Sequence, residues 1–106
     1  MLAGFYQARF ETPEAKSCGV ITLTDDNKVC GGNNEFMYVG SYKRQGYNFF
    51  AEVEVKPLFG IKTAGFFKEA KKISIRGAGI ETILCVCEAS ELPGVEIKAV
   101  LERVSF

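Results

Sequence analysis

Four cysteines are the residues of this chain best suited to redox or metal chemistry: Cys18, Cys30, Cys85 and Cys87. An even number would allow two disulfide bridges in a secreted domain. A zinc site is a weak alternative, because the chain has neither a CxxC pair nor any histidine. Cys85 and Cys87 are two residues apart in an apolar stretch, so on a strand they share one face, which we expect to be buried. We predict four reduced thiols, no metal and no cofactor.

One pair of acidic residues has a spacing that could serve catalysis. Glu52 and Glu54 would lie roughly 6.6 Å apart on one face of a strand, which suits paired carboxylates. Lys56 continues the same face, however, and this favours a solvated outer surface. The lack of histidine excludes Ser-His-Asp and Cys-His nucleophile systems. The glycines match neither a phosphate-binding loop nor the dinucleotide fingerprint. We therefore predict no catalytic residue and no enzymatic activity.

The charges of the chain balance, with 13 basic and 13 acidic residues. The one basic cluster is short and consists of Lys68, Lys71, Lys72 and Arg76. A general binder of nucleic acid or of anionic membranes carries a basic excess, so we predict contact with neither. No apolar run is long enough for a membrane span, and Met1–Phe5 lacks the features of a secretory signal. We expect a cytoplasmic protein whose zero net charge permits self-association.

The alternation of apolar and polar residues predicts β-strands along most of the chain. It is faultless from Ala51 to Lys56, where every second residue is apolar. Turn-forming residues separate the strands at Asp25–Asn27, Gly31–Asn34 and Gly77–Gly79. The predicted strands are Gly4–Thr12, Cys18–Thr24, Lys28–Cys30, Glu35–Lys43, Tyr47–Lys56, Ile73–Arg76, Glu81–Ala89 and Val95–Val104.

These strands predict a single all-β domain over residues 1–106, an antiparallel barrel of about eight strands. Most connections have hairpin length, and closure removes exposed edges. Pro57 should end its strand, because proline removes a backbone donor. The signals after it are weaker: Phe59–Thr63 is compatible with a short strand, and Gly65–Lys72 with a helical turn.

Aromatic residues crowd the first half of the chain, and most of them fall on the apolar faces of the strands. On an eight-stranded barrel, inward aromatic side chains usually fill the interior. The alternative is a cavity for a small apolar ligand. The inward-facing candidates for such a cavity are Tyr6, Phe10, Tyr38 and Phe49. Phe5 and Phe50 fall on otherwise polar faces, where they are candidates for a contact with a subunit or a partner.

The strand Glu81–Ala89 is apolar on both faces. One face carries Ile83, Cys85 and Cys87, and the other carries Leu84 and Val86. A barrel buries only one face of a strand, so the other needs a cover. We expect a homodimer that covers Leu84 and Val86, since a closed two-fold dimer is the commonest solution. The segment Leu58–Ala70 is the alternative cover.

Four segments with spaced glycines and aromatic residues carry a family resemblance. They are Gly4-Phe5-Tyr6-Gln7-Ala8-Arg9-Phe10, Cys18-Gly19-Val20-Ile21-Thr22-Leu23, Val29-Cys30-Gly31-Gly32-Asn33 and Tyr38-Val39-Gly40-Ser41-Tyr42. In these segments the chain resembles the GrlR family, named for a negative regulator of type III secretion in enteric pathogens. The likeness covers roughly the first 56 residues, and the C-terminal half agrees in its strand pattern.

The resemblance implies a small lipocalin-like β-barrel, commonly dimeric, without catalytic activity. In the namesake, regulation works by binding a helix-turn-helix transcriptional activator rather than DNA. An acidic surface loop marks that contact in the namesake, whereas this chain has Lys43-Arg44-Gln45-Gly46 at the corresponding turn. We expect a non-enzymatic regulatory protein that acts through protein contacts, with a transcriptional activator as the implied partner. The alternative is a carrier that holds a small apolar ligand in the barrel interior, and the volume of that interior distinguishes the two.

Overall fold

Eight antiparallel strands pair in sequence order and close into a barrel in the computed structural model of this chain. The structure describes residues 3–61, 72–89 and 94–105. The strands are β1 (Gly4–Glu11), β2 (Lys16–Leu23), β3 (Lys28–Gly32), β4 (Phe36–Gln45), β5 (Asn48–Pro57), β6 (Lys72–Gly79), β7 (Thr82–Ala89) and β8 (Ile97–Arg103). The pairing of β1 with β8 closes the ring. The predicted all-β antiparallel barrel of about eight strands is confirmed.

Two predicted breaks overlap strands: the break after β3 is confined to residues 33–35, and Gly77–Gly79 lies within β6. Gly31 and Gly32 continue β3, where Gly32 pairs with Val20 on one side and Met37 on the other. Gly77–Gly79 continues β6 to its end. Glycine indicates a turn in sequence analysis, but it also occurs where strands approach too closely for a side chain. At Gly77 a Cβ would lie 2.5 Å from the carbonyl oxygen of Leu84, which explains the glycine there.

The chain leaves β5 at Pro57, as predicted, and forms a 3₁₀ turn over Leu58–Gly60. Phe59 has a φ of 54° and a side chain that is 95% exposed, so the predicted strand beginning at Phe59 is wrong in its first residues. The described residues contain no helix long and apolar enough to cross a membrane. The predicted helical turn Gly65–Lys72 lies outside the described residues, except that Lys72 begins β6.

Alternate residues of every strand point into the barrel and form one apolar core. Among the described residues, no polar or charged side chain is buried. The largest fully buried side chains belong to Tyr6, Tyr38, Phe10, Phe49, Ile21, Leu23, Ile73, Ile83, Ile97, Leu101 and Cys87. Because apolar burial is the main favourable term in folding, this core is what holds the eight strands together.

Gly40 lies on the inner wall at a point where β4 and β5 approach closely. It lies between Tyr38 and Tyr42 along β4 and pairs with Val53 across the ladder. A Cβ at this position would lie only 2.0 Å from the carbonyl oxygen of Glu52. The close pairing of β4 with β5 at this point therefore depends on the missing side chain.

Candidate functional site

Leu84 is the most exposed apolar side chain of β7 and the centre of an outward apolar surface. Its side chain is 64% exposed, and that of Val86 is 40% exposed. The register places Leu84 between Ala78 of β6 and Val100 of β8. We call these four residues the β7 face. Ile83, Cys85 and Cys87 point inward, so β7 is apolar on both sides of the wall.

Charged side chains of both signs surround the β7 face. Arg76 forms an ion pair with Glu88 at 3.6 Å, and both are exposed. On β8, Lys98 and Glu102 lie on either side of Val100. The Nε2 of Gln7 donates a hydrogen bond of 3.2 Å to Glu102. An apolar centre within a mixed polar rim is the usual composition of a protein–protein contact.

The other two predicted contact residues do not join this surface. Phe50 is 41% exposed on β5, but Arg76 of β6 separates it from Val86. With Lys43 and Arg76 it lines a separate open groove of about 430 Å³ on the outer wall. Phe5 is half-buried on β1 and pairs with Thr22 of β2, away from β7. The alternation along each strand predicted which apolar residues point outward. It did not predict which residues of neighbouring strands lie side by side, and this pairing decides which of them form one surface.

A second outward apolar surface, which was not predicted from the sequence, is centred on β3. It consists of Val20, Thr22, Cys30, Met37 and Val39, and we call it the β3 face. Cys30 lies in the middle, paired with Thr22 on one side and Val39 on the other. β3 and β7 are four strands apart in a ring of eight, so the two faces lie on opposite sides of the barrel. The available signal was the stretch Cys18–Leu23, which is apolar on both strand faces as Glu81–Ala89 is.

The interior candidates Tyr6, Phe10, Tyr38 and Phe49 all lie inside the barrel, with exposed fractions of 0–2%. The rings of Phe10 and Tyr38 meet edge to face with centroids 5.7 Å apart. Asn33 donates a hydrogen bond of 3.2 Å from Nδ2 to the hydroxyl of Tyr38. Exposed fractions this small leave no water-sized space beside the four side chains, so an interior ligand would have to displace them.

The paired carboxylates lie on the outer wall, as their alternation with valines predicted. Glu52 accepts hydrogen bonds of 2.9 and 3.0 Å from the hydroxyl of Ser74. Glu54 forms an ion pair with Lys56 at 3.5 Å, and both side chains are about half exposed. Within the described ranges, no three Cys, Asp or Glu side chains converge as metal ligands. These carboxylates make ordinary surface contacts.

The cysteines divide into an exposed pair and a buried pair. Cys18 and Cys30 are exposed, and Cys85 and Cys87 are buried. Cys30 pairs with Thr22, four residues along β2 from Cys18, which separates the two cysteines by about 13 Å. That is too far for a disulfide within one barrel. Burial raises the pKa of both the Cys85 and Cys87 thiols to about 12.

Alkaline pH should destabilise the protein through these thiols. Their ordinary pKa is 9.0, and the folded state holds the protons up to about 12. The folded state therefore binds more protons between these values, so the stabilisation is complete below about pH 9 and is lost as pH rises towards 12. Burial also raises the pKa of Tyr38 to about 12, with the same sign. Urea unfolding at about pH 7 and about pH 10.5 measures the loss.

The control is the double variant Cys85→Ala and Cys87→Ala, which should lose less stability over the same pH interval. Alkylation without reductant should modify Cys18 and Cys30 in the native protein, and all four thiols after unfolding. Equal pH dependence of both proteins, or fewer than four alkylated thiols after unfolding, would contradict these expectations.

Comparison with known proteins adds no relative to this description: no protein-family model and no curated protein matches the chain.

Proposed function

We propose that this chain is a non-enzymatic regulatory protein that acts through protein contacts on the outside of its barrel. The observation that carries the proposal is the β7 face, where Leu84 and Val86 expose apolar area on a strand whose other side is already buried. Exposed contiguous apolar area of this kind usually marks an interaction site. The resemblance of the N-terminal half to the GrlR family supports a regulatory role, with a transcriptional activator as the partner it implies.

The closed barrel favours contacts through side chains. Each described strand is hydrogen-bonded on both sides, and this leaves no edge to which a partner could add a strand. The packed interior supports the same conclusion, because Tyr6 and Phe49 fill space that a carried ligand would need. Burial holds Cys85 and Cys87 as protonated thiols at neutral pH, which makes them poor nucleophiles.

The first protein contact in this proposal is a homodimer through the β7 face. Ala78, Leu84 and Val100 form a row across three neighbouring strands. In the proposed dimer the two-fold axis runs along this row, so the row of one copy packs against the same row of the second copy. The same axis reverses β8, so that Lys98 of one copy lies opposite Glu102 of the second copy. The polar rim is thus complementary to itself, as a two-fold interface requires. The zero net charge adds no overall repulsion.

The dimer is tested by sedimentation equilibrium at micromolar concentration. We expect twice the chain mass of 11.7 kDa for the natural sequence, and the single chain mass for Leu84→Glu. Two glutamates facing each other across the axis repel and also lose their hydration in the interface, which removes the gain from apolar burial. The exposure of Leu84 should leave the fold of the variant intact.

The matched control is Val20→Glu, the same type of change at an exposed position on the β3 face. It should sediment as the natural sequence does. A monomeric mass for the natural sequence would refute the homodimer, and the β7 face would then contact a different partner or segment. Loss of the dimer in Val20→Glu alone would show that the dimer interface is the β3 face.

A further inference from the structure

Two arginines occupy inward positions at one end of an otherwise apolar barrel. Arg44 follows Tyr42 on the inner side of β4, and Arg103 follows Leu101 on the inner side of β8. Both are half-buried rather than exposed. At the other inward positions of the described strands the residues are apolar or glycine, apart from Ser17. The barrel thus turns both of its inward-facing charges towards the same opening.

The topology brings these two side chains together from opposite walls. β4 and β8 run in the same direction and lie four strands apart in a ring of eight, so their C-terminal ends face each other across one mouth. The interior of an eight-stranded barrel is only wide enough to be filled by side chains. Arg44 and Arg103 therefore lie on facing walls of one narrow mouth.

Tyr6 lies at this mouth and contacts Arg103 directly. The Cζ of Arg103 lies 6.0 Å from the centroid of the Tyr6 ring, and Arg103 forms a hydrogen bond with this side chain. Burial raises the pKa of Tyr6, whereas the charges of Arg103 and Arg44 lower it, so both cations lie within electrostatic reach of the phenol. The Nε of Arg44 donates a hydrogen bond of 2.6 Å to the carbonyl oxygen of Gly46, which fixes this side chain at the rim.

We propose that this mouth is a binding site for a small oxyanion of the phosphate or carboxylate type, held between Arg44 and Arg103. The guanidinium group presents parallel N–H donors that match the oxygens of both anions. The two arginines place positive charge on facing walls of one mouth, where a small anion can interact with both. The packed rings of Tyr6 and Tyr42 form the floor, so the ligand stays at the mouth and does not enter the core.

Carboxylates near the mouth limit what it can hold. Glu81 acts on Tyr6, and Asp25 and Asp26 act on Tyr42, each by raising the pKa of the tyrosine. Their negative charge opposes a large acidic partner and favours a small ligand that fits between the arginines. This charge also predicts that Glu81→Gln, which removes the carboxylate that acts on Tyr6, should bind the anion more tightly.

The test is thermal unfolding of the full chain in series of sodium phosphate, sodium acetate and sodium chloride at equal ionic strength. Equal ionic strength removes differences in general screening. Phosphate also stabilises most proteins by exclusion from their surface, an effect that keeps rising with concentration, so a shift that reaches a plateau identifies specific binding. We expect phosphate or acetate to raise the melting temperature to a plateau that chloride does not reach, and the anion with the larger shift is the preferred class. Arg44→Gln and Arg103→Gln should each weaken the apparent affinity about tenfold or more.

The matched control is Arg76→Gln, which removes one arginine from the outer wall and should keep the natural affinity. If Arg103→Gln fails to fold, Arg44→Gln and Glu81→Gln still provide one variant expected to weaken binding and one expected to strengthen it. The proposal is overturned if both anions behave as chloride does, if Arg44→Gln keeps the natural affinity, or if Arg76→Gln weakens binding as much as Arg44→Gln.

Discussion

Replacing Gly40 with valine should lower the free energy of unfolding by about 3 kcal/mol or more, since it overpacks a wall with no free space. The first added carbon would lie 2.0 Å from the Glu52 carbonyl oxygen and 2.9 Å from the Cα of Val53. These are backbone atoms of the paired strand, so β4 and β5 must separate to relieve the clash. A loss of this size is a large part of the total stability of a small domain.

Urea unfolding at a fixed protein concentration measures this loss, and a fixed concentration is needed because dimerisation would itself change apparent stability. The matched control is Ser41→Val, which adds a β-branched side chain at the next residue, on the exposed outer side of the same strand. It should change the free energy of unfolding by less than about 0.5 kcal/mol. Equal losses for the two variants would show that the clash at Gly40 is absent.

The second large loss is expected for Phe10→Ala, which should cost about 3–5 kcal/mol. Phe10 is 2% exposed, and its ring meets the ring of Tyr38 edge to face. Removing the ring loses its transfer free energy and leaves a cavity that the rigid barrel cannot close. The loss should appear as a lower urea midpoint with little change in the slope.

Phe50→Ala is the control, because it makes the same substitution on the outer wall, where the side chain is 41% exposed. We expect a smaller loss of about 1–2 kcal/mol, because this ring buries less apolar area and its removal leaves no internal cavity. If Phe10→Ala were as mild as Phe50→Ala, Phe10 would not be part of a packed core, and the case for a carrier of apolar ligands would gain strength.

Alternation within each strand made most of the fold predictable. In β5 the residues from Ala51 to Lys56 follow the period of a strand, and the structure confirms which of them are buried. The positive φ of Phe59 could not be predicted, because phenylalanine has no preference for that region and Pro57 indicates only where the strand ends. Gly31 was misread since glycine does not distinguish a turn from a close approach of strands.

The candidate sites were predictable only one strand at a time. The exposure of Leu84 follows from a strand that is apolar on both faces, a feature of the sequence itself. Whether Phe50 joins that surface depends on lateral register, which places Arg76 between them. The same applies to Arg44 and Arg103. The alternation along each strand places each arginine on the inner side, but only the closed ring shows that the two strands lie on facing walls.

The order of pairing around the ring also constrains how the chain reaches this state. Seven of the eight ladders join strands that are neighbours in sequence, and these can form while the chain is still being synthesised. The eighth joins Gly4–Glu11 to Ile97–Arg103 and cannot form until the last strand has left the ribosome. Until then β1 offers an unpaired edge, which another unfinished chain can occupy. Slow synthesis or loss of β8 should therefore cause aggregation, and a circular permutant with β8 joined ahead of β1 should convert this last, distant pairing into a local hairpin.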